Sequence, residues 1–225
     1  MGLILCLETA TKVCSLSLAR DGVEVATINH FSENYSHSER LNGLLLDLLK
    51  QTNISLNDLD AVAISEGPGS YTGLRIGTST AKGLCYALDI PLIAINSLKA
   101  LAFEKSQQGT LICPMFDARR MEVYSAIFDA DMNELETTRA VVIDEISYQN
   151  FLAEHPVCFI GPGAEKCQDA LQHKNASFDL TIKVSAKGMN TFAHENFEQK
   201  DFVDLAYFEP FYLKDFIAGT PKKIF

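Results

Sequence analysis

The chain repeats one order of strands and turns in its two halves. Residues 3–25 read LILCLETATKVCSLSLARDGVEV: a buried strand, an acidic loop at Glu8, a second strand, the turn Asp21-Gly22 and a third strand. Residues 111–135, LICPMFDARRMEVYSAIFDADMNEL, follow the same plan with an acidic loop at Asp117 and a polar turn before a short strand. Asp-Gly between apolar runs is a strong hairpin signal. The repeat predicts duplication of one α/β unit, with chance similarity between two α/β segments as the alternative.

Helical and strand patterns alternate along the rest of the chain. Leucines at helical spacing follow Ser36-His37-Ser38-Glu39, which has the form of a capping box. The predicted helices cover residues 36–51, 72–87, 97–105, 144–153 and 189–199, and one more opens at the second glycine turn, 161–163. The predicted strands between them cover residues 60–65, 91–95 and 157–160. This alternation predicts a mainly parallel sheet covered by helices.

Composition restricts the class of protein. The 225 residues carry a formal net charge of -10, and six cysteines are scattered without a C-x-x-C pair. A negative net charge argues against a chain that binds RNA by itself, because contacts to phosphates need basic residues. The cysteine pattern favours a reduced, cytoplasmic protein without a zinc cluster or disulfides. The apolar start ends at Glu8, so we expect neither a signal peptide nor a membrane segment.

A glycine-rich turn lies between a predicted strand and a predicted helix. Residues 66–77 read EGPGSYTGLRIG, and free backbone N–H groups at a helix start can hold an anion. The segment lacks the Gly-Lys-Ser/Thr of a Walker A loop. It is either a phosphate or interface loop, or simply a tight turn.

The helix after this turn carries a stripe of small residues. Gly73, Gly77 and Ala81 recur at helical spacing, with Thr78 beside them. Glycine inside a helix costs about 1 kcal/mol relative to alanine. The stripe therefore predicts that another backbone approaches closely, either from the chain's own sheet or from a second protein.

Taken together, several segments resemble the TsaB (YeaZ) family. They are LCLETATKVCSLSL, HSERL, GPGSYTGLRIGTSTAKGL, DARRMEVY, FIGPGAEKC and FYLKDF, in this order and over nearly the whole chain. The resemblance implies the α/β actin-like, hexokinase-like ATPase (ASKHA) fold, with two related lobes from a duplicated unit. We expect an amino-terminal lobe at residues 1–107 and a smaller carboxy-terminal lobe at 108–225, whose last segment packs back on the first.

The resemblance also implies a role in a complex. Members are non-catalytic subunits of the machinery that forms threonylcarbamoyladenosine on tRNA, and they pair with the catalytic paralogue TsaD, assisted by the ATPase TsaE. The acidic balance leads us to expect tRNA contact only through that complex, and an apolar pairing face left open favours a homodimer when the chain is alone. The first two helices form the pairing face, where the small-residue stripe would let two subunits pack closely. The residues implied at this face are His37, Leu41, Leu44, Leu45, Gly73, Leu74, Arg75, Gly77, Thr78, Ala81 and Lys82.

Catalytic relatives with this fold hold a metal-nucleotide between two acidic loops. The corresponding nucleotide candidates are Glu8, Thr9 and Asp117, which alternatively are only polar ends of strands. The resemblance leaves open ATP or ADP with magnesium at a subunit junction. An autonomous ASKHA-type ATPase or small-molecule kinase is the alternative function.

The metal motif of the catalytic paralogue is incomplete in this sequence. That motif is H-x-x-x-H, and His37 is followed four residues later by Leu41. One histidine does not build a multi-ligand site. We therefore expect no metal site and no catalytic residue, and a metallopeptidase-like activity is disfavoured.

Overall fold

The computed structural model describes residues 1–32, 37–106 and 108–214, with the backbone only at His37. The strands are β1 (Leu3–Glu8), β2 (Val13–Arg20), β3 (Val23–Phe31), β4 (Ala61–Gly67), β5 (Leu92–Asn96), β6 (Leu111–Asp117), β7 (Glu122–Phe128), β8 (Glu134–Val142), β9 (Val157–Ile160) and β10 (Ala176–Asp179). The α-helices are α1 (His37–Thr52), α2 (Tyr71–Leu88), α3 (Ser97–Phe103), α4 (Gln149–Glu154) and α5 (Asn190–Gln199). Short 3₁₀ turns cover Leu56–Asp58, Glu165–Cys167 and Ala186–Met189.

The two halves build sheets of the same topology. The first sheet has the order β3-β2-β1-β4-β5, and the second has the corresponding order β8-β7-β6-β9-β10. In each, the first three strands form antiparallel pairs, whereas the fourth and fifth run parallel to the first. Identical strand order and direction confirm the actin-like, hexokinase-like ATPase fold and the duplicated unit that the sequence predicts.

Strand β1 is the centre of the first sheet. All six of its residues are buried, because α1 and α2 cover one face and α3 and α5 lie against the other side of the lobe. Its two faces enter different cores: Leu5 packs with the α1 and α2 side chains, and Cys6 packs with residues of both lobes. A strand buried on both faces reads as an unbroken apolar run, which is what LILCL shows.

Helices α1 and α2 lie side by side on the outer face of the first sheet. Leu41, Leu45 and Leu48 of α1 enter the core of that face, together with Ala81 and Cys85 of α2. The three leucines recur at the spacing of one helix face, so their burial follows from helical geometry. This outer face is directed away from the core that the two lobes share.

Helices α3 and α5 connect the two lobes. Helix α3 packs against β6 and β7 of the second sheet, whereas α5 comes from the second half and packs against β1 and β5 of the first. Both helices contribute to one core that contains side chains of both sheets, among them Ile95 and Phe116. The division at residue 107 separates the two sheets but not this shared core, and it stays a prediction.

The predicted elements differ from the observed ones in the second half. The helix expected from residue 144 begins at Gln149, because 144–147 form a turn closed by a hydrogen bond from the Ser147 N–H to the Asp144 carbonyl. The helix expected after 161–163 is only the 3₁₀ turn Glu165–Cys167. The capping box at Ser36 lies outside the described residues.

Among the described residues, no helix has both the length and the hydropathy that a membrane crossing requires.

Candidate functional site

A cleft of about 1390 Å³ opens between the two lobes. The β1–β2 loop and the 69–72 segment form its first wall, and the β6–β7 loop and the turn at 161–162 form its second. Residues 211–214 of the carboxy-terminal segment close one side. Nucleotides bind between the lobes in ATPases of this fold class, so the cleft is the first place to test for a nucleotide site.

The two glycine turns occupy equivalent positions in the duplicated unit. Gly67-Pro68-Gly69 follows β4, and Gly161-Pro162-Gly163 follows β9. A Cβ on Gly69 would lie 2.4 Å from the Ala10 carbonyl oxygen, and one on Gly163 would lie 2.8 Å from the backbone of Phe116. The first turn therefore lies against the β1–β2 loop, and the second lies against the last residues of β6. A side chain at Gly69 or Gly163 would overlap this backbone, whereas Gly69 and Gly161 still line the cleft.

Asp117 is paired with a lysine from the 3₁₀ turn Glu165–Cys167. Lys166 Nζ donates to Asp117 Oδ1, and also to the backbone carbonyls of Arg120 at 2.6 Å and Glu122 at 2.7 Å. A second hydrogen bond to Asp117 Oδ1 comes from the Arg119 N–H at 2.9 Å. The positive charge that a magnesium ion would bring to this carboxylate is already supplied by Lys166.

Glu8 and Thr9 are buried in the first lobe and do not line the cleft. Both have 0 % exposure, and Glu8 Oε1 accepts a hydrogen bond from the Ala10 N–H at 2.5 Å. Burial raises the pKa of Glu8 to about 7, outweighing the opposing hydrogen bonds from Ala10 and Ser65. The expectation that these two side chains face a metal-nucleotide is corrected: of the three nucleotide candidates, only Asp117 is exposed at the cleft.

The small-residue stripe of α2 faces the chain's own sheet. A Cβ on Gly77 would lie 2.2 Å from Thr9 Oγ1 and 3.0 Å from Ile64 Cδ1. Gly73, Leu74, Gly77, Thr78 and Ala81 are all buried. The close approach that the stripe permits is therefore intramolecular, and the expectation that it packs two subunits together is wrong for these side chains.

The other residues implied at the pairing face differ in how far their side chains are exposed. Leu41 and Leu45 are core residues, and Leu44 is half-buried. Arg75 is exposed and donates to the Tyr71 hydroxyl at 3.1 Å. Lys82 is half-buried, and its Nζ donates to the Ala206 carbonyl at 3.2 Å, so it holds the chain's own carboxy-terminal segment. The side chain of His37 lies outside the described residues.

The outer surface of α1 and α2 exposes two large apolar side chains that the sequence reading missed. Leu46 on α1 is 66 % exposed, and Tyr86 on α2 is 84 % exposed. Leu46 falls outside the core spacing of Leu41, Leu45 and Leu48, and this departure from helical periodicity is the signal that identifies it. Core packing accounts for neither side chain, so this helical layer is a candidate interaction surface.

The carboxy-terminal segment lies along the first lobe and ends at the cleft. Val203 pairs with Leu92, and the Phe211 N–H donates to the Glu66 carbonyl at 2.8 Å. The ring of Tyr212 lies 4.9 Å from that of Tyr71, and Lys214 forms an ion pair with Glu122 of the second lobe. Residues 203–212 thus contact the first lobe, and Lys214 contacts the second.

The cleft does not fit a magnesium-nucleotide held by this chain alone. Its one exposed candidate carboxylate, Asp117, is ion-paired with Lys166, and Glu8 is buried away from it. Across residues 1–32, 37–106 and 108–214, no three His, Cys, Asp or Glu side chains are grouped as a metal site requires. A nucleotide at a junction with another subunit stays a prediction.

Comparisons with known proteins show which family the chain resembles. The family model "TsaD: tRNA N6-adenosine threonylcarbamoyltransferase" matches residues 33–222. The tRNA threonylcarbamoyladenosine biosynthesis protein TsaB of Escherichia coli (strain K12) is 32% identical over 228 residues, covering 96% of both chains. The TsaB of Bacillus subtilis (strain 168) is 32% identical over 200 residues, covering 86% of this chain and 82% of that one.

A solved structure is also similar to this chain over nearly its whole length. YeaZ from Pseudomonas aeruginosa superposes with a TM-score of 0.79 at 26% identity, over 95% of this chain and 100% of that one. The similarity therefore extends through both lobes and is not confined to one motif. The chain belongs to the TsaB (YeaZ) family, within the wider group that the TsaD family model describes.

Proposed function

We propose that this chain is a non-catalytic partner subunit in the formation of threonylcarbamoyladenosine on tRNA. The observation that carries the proposal is the end-to-end match to TsaB proteins, 32% identical over 96% of both chains. In this role the chain binds the catalytic paralogue TsaD, and the ATPase TsaE acts on the assembled pair. The work is done in the cytoplasm, where tRNA is modified.

The closed catalytic features favour an accessory role. Lys166 forms an ion pair with Asp117, and Glu8 is fully buried, so neither acidic candidate is free to hold a magnesium ion in the cleft.

The outer layer of α1 and α2 is the surface we propose for pairing. It exposes the apolar side chains of Leu46 and Tyr86 and the charged side chain of Arg75. Protein–protein interfaces combine apolar side chains with polar ones at the rim. With the paralogue absent, the same surface on two copies of the chain would form the homodimer.

Reconstituted tRNA modification tests the proposal. Purified TsaD, TsaE, tRNA and the threonylcarbamoyl donor are incubated with and without this chain, and the modified adenosine is quantified by mass spectrometry. We expect modification only in the complete mixture. Equal modification without the chain would contradict the accessory role.

The alternative, an autonomous ATPase or small-molecule kinase, is tested in parallel. ATP hydrolysis by the chain alone is compared with that of Asp117→Asn. We expect no turnover from either protein. Turnover that Asp117→Asn abolishes would establish the alternative, because it would assign the cleft a magnesium-dependent reaction.

A further inference from the structure

The interlobe cleft is basic although the whole chain is acidic. Four cationic side chains line it without an ion pair to any described carboxylate: Lys12, Arg119, Arg120 and Lys183. The lining carboxylates are Asp117 and Glu122, which are paired with Lys166 and Lys214, and Glu165. Four unpaired cations thus face one unpaired carboxylate, in a protein of net charge -10. A local excess of positive charge inside a concave surface attracts anions.

Two of these cations are held in an unfavourable backbone conformation. Arg119 has φ of 72° and Arg120 has φ of 51°, at the tip of the β6–β7 hairpin. This left-handed region favours glycine and asparagine and disfavours long side chains. Neither arginine is buried, so core packing does not account for the choice. Residues kept at a conformational cost concentrate where a side chain is needed for binding.

Aromatic rings are exposed in the same cleft. Phe31 lies at the end of β3 with 65 % exposure, and Phe211 and Tyr212 are 39 % and 36 % exposed. Large aromatic side chains are normally buried, so three exposed ones in one cleft need an explanation. Cations that follow a phosphate backbone, interleaved with rings on which bases stack, are the two components of single-stranded nucleic-acid sites.

We propose that the interlobe cleft binds an unpaired segment of RNA, with Arg119 and Arg120 on backbone phosphates and Phe31 stacked on a base. The inference rests on the proposed function in that the RNA is a segment of the tRNA being modified. It goes beyond that function by assigning this subunit its own RNA contact. The acidic remainder of the chain repels RNA elsewhere and confines binding to the cleft.

A strand of RNA fits the cleft better than a free nucleotide. The volume of about 1390 Å³ exceeds the range of about 300–1,000 Å³ usual for small-molecule sites. The exposed carboxylate that would hold a nucleotide's magnesium, Asp117, is already paired with Lys166. Separate side-chain cations spread over both walls suit successive phosphates of a chain.

Fluorescence anisotropy with a labelled 12-nucleotide unpaired RNA tests the proposal on the full chain alone. We expect saturable binding with a Kd on the order of 10⁻⁴ M at low salt, since few phosphates are contacted.

The double substitution Arg119→Asn, Arg120→Gly suits the left-handed turn, so it keeps the fold while removing both charges. We expect it to weaken binding at least about tenfold and to flatten the salt dependence. Phe31→Ala should weaken binding about tenfold.

A matched control removes two exposed cations that lie outside the cleft. The pair Arg20→Gln, Lys174→Gln lowers the net charge by the same amount, and we expect less than about a twofold change in Kd. The same RNA in a duplex should bind more weakly, because its bases are not free to stack.

Three results would overturn the inference: no saturable RNA binding by the folded chain, equal weakening by the cleft and control pairs, or binding of free ATP but not of RNA. Because the chain is measured without its partner, failure here is distinct from failure of the proposed function, which is read from tRNA modification in the reconstituted mixture.

Discussion

Lys166 of the 3₁₀ turn Glu165–Cys167 forms an ion pair with Asp117 at the end of β6, and the same lysine Nζ donates to the backbone carbonyls of Arg120 and Glu122. One side chain therefore joins the turn after β9 to the hairpin after β6. In the first lobe the corresponding acidic residue, Glu8, is buried and its Oε1 accepts from the Ala10 N–H. The two lobes share one topology, but their corresponding acidic residues differ in role: Asp117 forms an ion pair, whereas Glu8 is a buried hydrogen-bond acceptor.

Replacing Lys166 with methionine should destabilise the second lobe. The substitution keeps most of the apolar stem but removes the donor of the Arg120 carbonyl, one of the two donors of the Glu122 carbonyl, and the ion-pair partner of Asp117. We expect the free energy of unfolding to fall by about 1 to 2 kcal/mol, measured by urea denaturation. Lys174→Met is the control, since Lys174 is exposed and makes no ion pair with a described residue. Equal loss in both variants would contradict a structural role for Lys166.

Two glycines of α2 should respond to alanine in opposite directions. At Gly83 a Cβ meets no atom within 4 Å, so Gly83→Ala should raise the free energy of unfolding by up to about 1 kcal/mol through helix propensity. At Gly77 the new Cβ would overlap Thr9 Oγ1, so Gly77→Ala should lower it by about 1 to 3 kcal/mol. Chemical denaturation of the two variants measures both changes.

Removing the obstructing hydroxyl tests the cause of the Gly77 effect. In a Thr9→Ala background the loss caused by Gly77→Ala should shrink, because Thr9 Oγ1 is the nearest atom to the new methyl group. A double-mutant cycle gives the interaction between the two positions. An unchanged loss in that background would mean that Thr9 is not what restricts Gly77.

Glu8 should make stability depend on pH between about 4.5 and 7. Its pKa in the folded protein is about 7, above the value of 4.5 for the free group, because burial disfavours the charged form. Below pH 4.5 both states are protonated and the contribution is fully present. As the pH rises, the unfolded state ionises first, and about 3 kcal/mol of stability is lost by pH 7.

The variant Glu8→Gln isolates this effect from other titrating groups. It keeps an oxygen to accept from Ala10 but does not ionise. We expect the difference in free energy of unfolding between Glu8→Gln and the parent chain to shift in favour of Glu8→Gln as the pH is raised from 5 to 8. A difference that stays constant over this range would show that Glu8 has an ordinary pKa when folded.

Much of the fold follows from local pattern. The Asp21-Gly22 hairpin, the leucine spacing of α1 and the repeated strand order predict the elements of the first lobe within about two residues. The second lobe was harder to predict because its α4 is short and the counterpart of α2 is reduced to Glu165–Cys167. The duplicated topology is kept there by strands alone.

The candidate sites depend on contacts that the sequence does not show. A stripe of small residues predicts a close neighbour, but only the structure identifies that neighbour as Thr9 rather than another protein. Lys166 gave no signal, because it meets Asp117 through a contact between residues 49 positions apart. The residues left free for binding are those outside the periodic pattern, such as Leu46.

The central claim is that the chain pairs with TsaD through the outer layer of α1 and α2. Light scattering after size-exclusion chromatography, on equimolar mixtures with TsaD from the same organism, measures this directly. The parent chain and the control Val142→Glu, Ile146→Glu, which alters exposed apolar residues of the second half, should both form a one-to-one complex. The double variant Leu46→Glu, Tyr86→Glu should keep its folded state but elute apart from TsaD. A complex that forms equally well with this variant would contradict the assigned surface, and no complex with the parent chain would contradict the account as a whole.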